Sequence, residues 1–214
     1  ITMPHKVSVM KMLDEVSVTA QVAGACNAVK RSEDGRLLGD MFDGQGFVLG
    51  LRNRGLDLNN KSALVVGNGG VGSAIAASLA AAGVKRLRLF DLSSTLTSSL
   101  AQRLSTHYPQ LDLELGNADP ADMDLAVNAT PLGMNDHDPL PMNVARLDPK
   151  THVGEVVMTR RITPFLDHAQ KRGCPIQVGT DMLFEMIPAY LSFFGLQTTT
   201  AEHLRKLSQI EMTT

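Results

Sequence analysis

The sequence predicts an α/β protein: a doubly wound parallel sheet, with a smaller α/β lobe formed by the two ends of the chain. Three observations lead there. Between residues 62 and 178, short apolar runs of strand type alternate with segments of helical spacing, the pattern of a parallel sheet covered on both faces. Residues 62–91 hold the best-defined unit: an apolar run, a glycine-rich turn, an alanine-rich segment, and a second apolar run closed by Asp91. The flanking segments do not continue the alternation. The expected boundaries are 44–184 for the sheet domain, and 1–43 with 185–214 for the second lobe, leaving a cleft between them.

The elements follow in order. Residues 7–23 read as one helix, with Val9, Met12, Leu13 and Val16 on its apolar face and Gly24 as its stop. Ala28–Val29 and Leu37–Leu38 flank the turn residues Ser32–Gly35, a hairpin signal. Gly44–Arg54 is a helix, and Ala63–Val66 a short buried strand. Val71, Ala74, Ile75, Leu79 and Ala82 recur at helical spacing, with Gly83 beyond them as a stop. Leu87–Phe90 is the next strand; its alternating Arg86 and Arg88 point to an exposed strand face. Helix Thr95–Leu104 and strands Leu111–Leu115 and Leu125–Val127 come next. Pro139, Pro141 and Pro149 make 134–150 a long loop. His152–Met158 is a strand, and Thr163-Pro164 opens a helix ended by Gly173. Ile176–Val178 is the last strand. Asp181 opens a helix to about Phe194 despite Pro188, and Thr199 with Glu202 gives a capping-box pattern for the final helix.

The glycine turn carries the first chemical information. Gly67, Gly69 and Gly72 have G-x-G-x-x-G spacing, placed between a strand and a helix, as that motif requires. Such a turn lets backbone approach a pyrophosphate at a helix N-terminus. A dinucleotide-binding, Rossmann-type domain is the expectation, with Gly67, Asn68, Gly69, Gly70, Val71 and Gly72 along the cofactor. An acid at the end of the second strand accepts hydrogen bonds from ribose hydroxyls and repels a 2′-phosphate, so Asp91 predicts NAD over NADP.

Composition narrows the remaining classes. The 214 residues are 43% hydrophobic with a net charge of −2, enough for a real core and without a basic, aromatic-interleaved patch for nucleic acid. No apolar run reaches membrane-span length, and there is no signal-peptide pattern. Cys26 and Cys174 match no metal or redox spacing and read as free thiols in a reducing, cytoplasmic setting. No metal site is expected. The chain starts at Ile1, inside a motif, and reads as lacking an N-terminal portion.

Lys6 after Pro4-His5, Asn27 in Gly24–Val29, and Asp43 in Gly39–Phe47 lie on three separate segments. Together they offer a proton carrier, a hydrogen-bonding amide and a carboxylate for one polar ligand. Taken singly, Lys6 is equally a solvated surface lysine, and Asp43 equally a helix N-cap.

These segments resemble the substrate-domain signatures of shikimate dehydrogenases, whose usual forms are N-V-T-x-P-H-K, G-A-x-N-T and N-T-D-x-x-G. The glycine turn, Asn128–Gly133, Thr163-Pro164 and Gly179-x-x-Met182-Leu183 resemble the same family in the same order. The resemblance implies hydride transfer between a nicotinamide and a hydroxylated ring carboxylate, in the setting of aromatic amino acid biosynthesis. It implies that Lys6 carries the proton with Asp43 as its partner, and that Thr2 and Asn27 bond substrate hydroxyls. Asn128, Ala129 and Thr130 would lie along the cofactor, with Gly179 near the nicotinamide. The expected partner is a small ring acid bound by a monomer or homodimer. Methylene-tetrahydrofolate dehydrogenases share the glycine-turn domain, but the Lys6–Asn27–Asp43 set argues against them.

The departures from the family concern the substrate. The family's Asn-Thr before the Asp is Met41-Phe42. Its substrate-binding Tyr and Gln are Met158 and Met186, and a glycine is Asp181. NADP-preferring members carry Asn-Arg-Thr where this chain has Asp91-Leu92-Ser93. Two methionines remove hydrogen-bonding groups from the substrate wall; alternatively they are core residues and other groups cover the ligand. Two further readings therefore stand beside the first. One is a dehydrogenase of a less polar or amino-substituted ring; the other is a non-catalytic ligand-binding paralogue.

Overall fold

The computed structural model describes residues 1–2 and 4–208. The larger sheet has six parallel strands: β4 (Ser62–Val66), β5 (Arg86–Phe90), β6 (Asp112–Leu115), β7 (Leu125–Asn128), β8 (His152–Glu155) and β9 (Ile176–Gln177). Their spatial order is β6-β5-β4-β7-β8-β9. The order reverses between β4 and β7, so a crevice opens beyond the carboxyl ends of these two neighbours.

Strand periodicity accounts for the two covered faces. Ala63 and Val65 of β4, and Leu125 and Val127 of β7, enter one core with Ile75, Leu79, Leu100 and Leu104. Leu64, Val66 and Ala126 enter the other, with Val153, Phe165 and Leu166. Successive side chains point to opposite faces, and both faces are dry. The first core is roofed by α3 (Gly70–Ala81) and α4 (Ser94–His107), and the second by α5 (Pro164–Lys171). Thr163 caps α5 as its sequence predicts, accepting the Leu166 N–H. On β5, Leu87 and Leu89 are buried, while Arg88 pairs with Glu114 of β6.

The smaller sheet is β1 (Glu15–Val16), β3 (Leu37–Asp40) and β2 (Ala28–Arg31), with β2 and β3 forming the expected antiparallel hairpin. Residues 7–23 are not one helix. They form a 3-10 turn (Ser8–Met12), strand β1, and the short helix α1 (Val18–Ala23). Two forces break the helix. Glu15 and Val16 pair in parallel with Leu38 and Gly39, and the Ser17 side chain caps α1 by accepting the Ala20 N–H. The alternation within 62–178 is also incomplete, since no α-helix separates β6 from β7 or β7 from β8.

Two helices join the sheets. α2 (Asp43–Asn53) and α6 (Gly179–Phe193) run antiparallel in close contact. A Cβ on Gly46 would meet the Met182 carbonyl at 2.5 Å and Met186 Cβ at 2.8 Å, and one on Gly50 would meet Gln177 Oε1 at 2.8 Å. α6 begins at Gly179, two residues before Asp181. Asp181 instead bonds Arg54 through Nε and Nη2, at 3.0 and 2.6 Å. Arg205 of α7 (Ala201–Leu207) reaches Asp181 and Glu185. The cap of α7 is Thr200, which accepts the His203 N–H, rather than Thr199. No helix among the described residues is long and apolar enough to cross a membrane. The last six residues of the 185–214 segment lie outside the described residues.

Candidate active site

Backbone bonds draw three loops together at the start of α2. The Cys26 N–H donates to the Lys6 carbonyl at 2.8 Å, and the Asn27 N–H to the Asp40 carbonyl at 3.0 Å. Lys6 Nζ then donates to Asp43 Oδ2 at 2.5 Å, and Asn27 Nδ2 to Asp43 Oδ1 at 2.7 Å. Asn27 Oδ1 accepts the Phe42 N–H at 3.0 Å. Asp43 and Asn27 are each 2% exposed.

This arrangement separates the alternatives for both charged residues. Asp43 is the first residue of α2 and its side chain makes no capping bond. Both carboxylate oxygens are engaged by neighbours from other loops. A buried carboxylate needs such donors and a countercharge, and the helix N-terminus adds to its stabilisation. The Lys6 side chain is 15% exposed and bound to a buried acid, which is not the setting of a solvated surface lysine. Thr2 lies exposed at the start of the same segment.

The glycine turn lies against this triad. A Cβ on Gly70 would stand 3.5 Å from Lys6 Cβ and 3.7 Å from Ala25 Cβ. Each glycine of the motif has its own reason. Gly67 has φ +94°, a backbone open to glycine, and a Cβ there would press on the Ala129 carbonyl carbon and Thr130 Cγ2, both at 2.8 Å. A Cβ on Gly72 would lie 1.8 Å from the Gly67 carbonyl oxygen, so this glycine sets how closely α3 approaches the turn. Gly69 caps α3 and faces open space, with no atom within 4 Å of an added Cβ. That is the side from which a diphosphate can reach the helix N-terminus, and the turn fits a dinucleotide there. Val71 packs half-buried on the core.

Asn68 contributes backbone only. Its side chain is buried and donates to Thr97 Oγ1 at 2.9 Å, away from the turn's open side. Its N–H donates to Asp91 Oδ2 at 2.7 Å, while Asp91 Oδ1 accepts the Ser93 N–H at 2.8 Å. The acid is therefore aimed by two backbone amides. Beside it Leu92 is 96% exposed, an apolar flank that the sequence reading left without a role.

The loop after β7 faces the turn from the neighbouring strand. The Asn128 side chain is spent on the loop itself: Nδ2 donates to the Leu132 carbonyl at 2.9 Å, and Oδ1 accepts from Thr130 Oγ1 at 2.6 Å. Ala129 packs against Gly67 and Gly72. Opposite Asn128 in register stands Glu155, which sequence reasoning missed because its neighbours are distant in sequence. Glu155 is 0% exposed, and burial raises its carboxyl to about 7, against the counteracting hydrogen bond of Thr163. Thr163 Oγ1 donates to Glu155 Oε2 at 2.9 Å, and Oε1 has no hydrogen-bond partner among the described residues.

Gly179 must be a glycine, because a Cβ there would lie 2.1 Å from the Val157 carbonyl oxygen. Its contact ties α6 to the end of β8. Met158 is half-buried and packs on the core together with Val71 and Ala129. Met186 is half-buried against Gly46 of α2. Among the described residues no group of three His, Cys, Asp or Glu side chains is placed to hold a metal ion.

Comparison with known proteins agrees with this architecture. The family model described as shikimate dehydrogenase substrate binding domain matches residues 1–29, and that of the ThiF family matches 49–107, the segment around the glycine turn. The shikimate dehydrogenase (NADP(+)) of Paracoccus denitrificans (strain Pd 1222) is 33% identical over 210 residues, covering 96% of this chain and 74% of that protein. The structure of quinate dehydrogenase from Corynebacterium glutamicum in complex with NAD superimposes with a TM-score of 0.84 at 32% identity, covering 96% of this chain and 75% of that one. Ligand-free 5-ketofructose reductase of Gluconobacter sp. strain CHM43 gives a TM-score of 0.84 at 26% identity, over 97% of this chain and 77% of that one. From matching segments at 33% identity over nearly its full length, the chain belongs to the shikimate dehydrogenase family.

Proposed function

We propose that this protein is an NAD-dependent oxidoreductase acting on a shikimate- or quinate-like hydroxylated ring carboxylate. The observation that carries the reading is the buried Lys6–Asp43–Asn27 set abutting the N-terminus of α3. The nicotinamide, when bound, supplies or accepts the hydride at the ring carbon. Lys6 gives or takes the proton of the same hydroxyl, within the range of rate gains expected of a positioned acid–base group. Asp43 holds the ammonium in place, and Asn27 fixes Asp43 through its other oxygen. Thr2 and Asn27 offer hydrogen bonds to ring hydroxyls.

Asp91 supports NAD. Its carboxylate is oriented by the Asn68 and Ser93 amides, and no guanidinium follows it in the position where NADP-preferring relatives carry Arg. The proposed division into a cofactor domain (44–184) and a substrate domain (1–43 with 185–214) rests on the two sheets; α2 and α6 sit at its borders. A cytoplasmic enzyme fits the two free, buried thiols.

A second reading has its own observation. Met158 and Met186 offer no hydrogen bond where the family binds substrate, and 5-ketofructose reductase, by its name, is a protein of this architecture with a substrate other than shikimate or quinate. The reading is then a dehydrogenase of a less polar or amino-substituted ring. Steady-state kinetics with shikimate, quinate and amino-substituted ring acids, each with NAD and NADP, tests both. Turnover of quinate or shikimate with NAD preferred supports the first reading. Equal or better use of NADP overturns the cofactor assignment, and turnover of none of these compounds overturns the dehydrogenase reading.

A further inference from the structure

The antiparallel register of α2 and α6 brings one side chain to the triad that no motif marks. Gln177 meets Gly50, Met182 and Met186 meet Gly46, and one turn further on Tyr190 meets Phe42, the residue before Asp43. The rings of Phe42 and Tyr190 lie 5.1 Å apart in an edge-to-face arrangement, and Phe42 makes the same kind of contact with Phe193 at 5.6 Å. Lys30 of β2 donates to the Phe193 carbonyl at 2.9 Å and lies over the Phe193 ring. This bond satisfies a carbonyl at the C-terminal end of α6 with a cation and fastens the helix to the small sheet. Tyr190 is thus held by the Phe42 ring, next to Asp43 in the chain, on a helix whose end is fastened to the small sheet.

We propose that Tyr190 is a specificity-determining residue of this site, its phenol hydrogen-bonding a ring hydroxyl of the substrate. The inference rests on the reading of Lys6 and Asp43 given above. Three facts carry it. Tyr190 is half-buried, and its hydroxyl has no protein partner among the hydrogen bonds of the described residues. It stands on the face of α6 that carries Met186 one turn earlier. The polar groups that Met158 and Met186 lack are the ones a phenol can supply, and a half-buried hydroxyl without a protein partner is open to a ligand. Burial, with the Asp43 carboxylate and the Cys26 thiol nearby, raises the phenol above its usual value, so it remains a neutral donor and acceptor at working pH. Phe42, where the family carries a smaller polar residue, is the platform that sets the height of the ring.

The test compares wild type, Tyr190→Phe and Lys6→Ala, with shikimate, quinate and shikimates lacking one ring hydroxyl each, by steady-state kinetics and calorimetric binding in the presence of NAD. Tyr190→Phe is expected to raise KM and Kd about tenfold for a fully hydroxylated ring acid, with kcat within about threefold and the melting temperature unchanged. With one singly deoxygenated analogue the variant and wild type should bind alike, which identifies the hydroxyl. Equal affinities of Tyr190→Phe and wild type for every hydroxylated ligand overturn the inference alone, provided that wild type turns over and Lys6→Ala does not. A uniform loss on all ligands with a lower melting temperature also overturns it, because that marks a packing role. Absence of binding and turnover by wild type for every ring acid overturns both the inference and the reading beneath it.

Discussion

The proposed cofactor side and the proposed substrate side of this site are built from different materials. The glycine turn and the loop after β7 are made of backbone: Gly67, Gly72 and Ala129 fit against one another with no room for an added carbon, and the side chains of Asn68 and Asn128 serve the protein rather than a ligand. The substrate side is made of side chains. Lys6, Asn27 and Asp43 form a closed set, while the positions that the proposed reading assigns to the substrate wall carry Met158 and Met186 in place of the family's Tyr and Gln, beside Phe42. A backbone site tolerates little change where, as at Gly67 and Gly72, the contacts are closer than a side chain allows. A side-chain wall can change residue by residue while the Lys6–Asp43 pair stays whole, and on the proposed reading that would separate substrate choice from chemistry.

The sharpest way to break this comparison is at Lys6. Lys6→Ala should lower kcat by about a thousandfold, while NAD affinity measured by fluorescence titration stays within about twofold. A parallel collapse of cofactor binding would mean that the two sides are not separable.

The wall should respond next. Replacing Met158 with Tyr and Met186 with Gln together should raise kcat/KM for shikimate by about a hundredfold, roughly the value of two hydrogen bonds to substrate. No gain would return both methionines to the role of core filler.

Asp91 tests the backbone-built side. Asp91→Asn should cut the NAD-over-NADP ratio of kcat/KM about tenfold by removing the charge that faces a 2′-phosphate. It should cost about 1 kcal/mol in stability, because the Asn68 and Ser93 amides then share one acceptor oxygen.

A separate test is stability against pH, through Glu155. Its carboxyl sits at about 7, raised from the ordinary 4.5 by burial. The folded protein binds this proton more tightly than the unfolded chain does. The resulting stabilisation is fully present below pH 4.5 and is lost as pH rises through 7, on the order of 3 kcal/mol. Glu155→Gln should flatten the difference between urea unfolding curves taken at pH 5 and pH 8. Since Glu155 stands opposite Asn128, a matching pH dependence of NAD affinity in wild type would extend the effect to the cofactor loop.

Much of this was legible in the chain. The six-stranded sheet follows from runs such as Ala63–Val66, whose residues are buried on both faces. The hairpin 28–40 and the Thr163 cap follow from turn and capping chemistry. The reading of 7–23 as one helix was wrong because the pairing of Glu15 and Val16 with β3 is a long-range contact that helical spacing does not register. Tyr190 and Glu155 were missed for a similar reason. They belong to no short motif and gain their meaning from neighbours on other elements, whereas Leu92 shows only its exposure beside Asp91.

By itself the sequence determined the parallel sheet, the glycine turn and the identities of Lys6, Asn27 and Asp43, because periodicity and turn chemistry act over a few residues. Only the tertiary structure decided that Asp43 is a buried, doubly bonded partner of Lys6 rather than a helix cap, that Asp91 is aimed by two amides, and that α6 packs Tyr190 against Phe42, the residue before Asp43. Those outcomes depend on which surfaces are buried against each other, and burial sets whether a charge must find a partner.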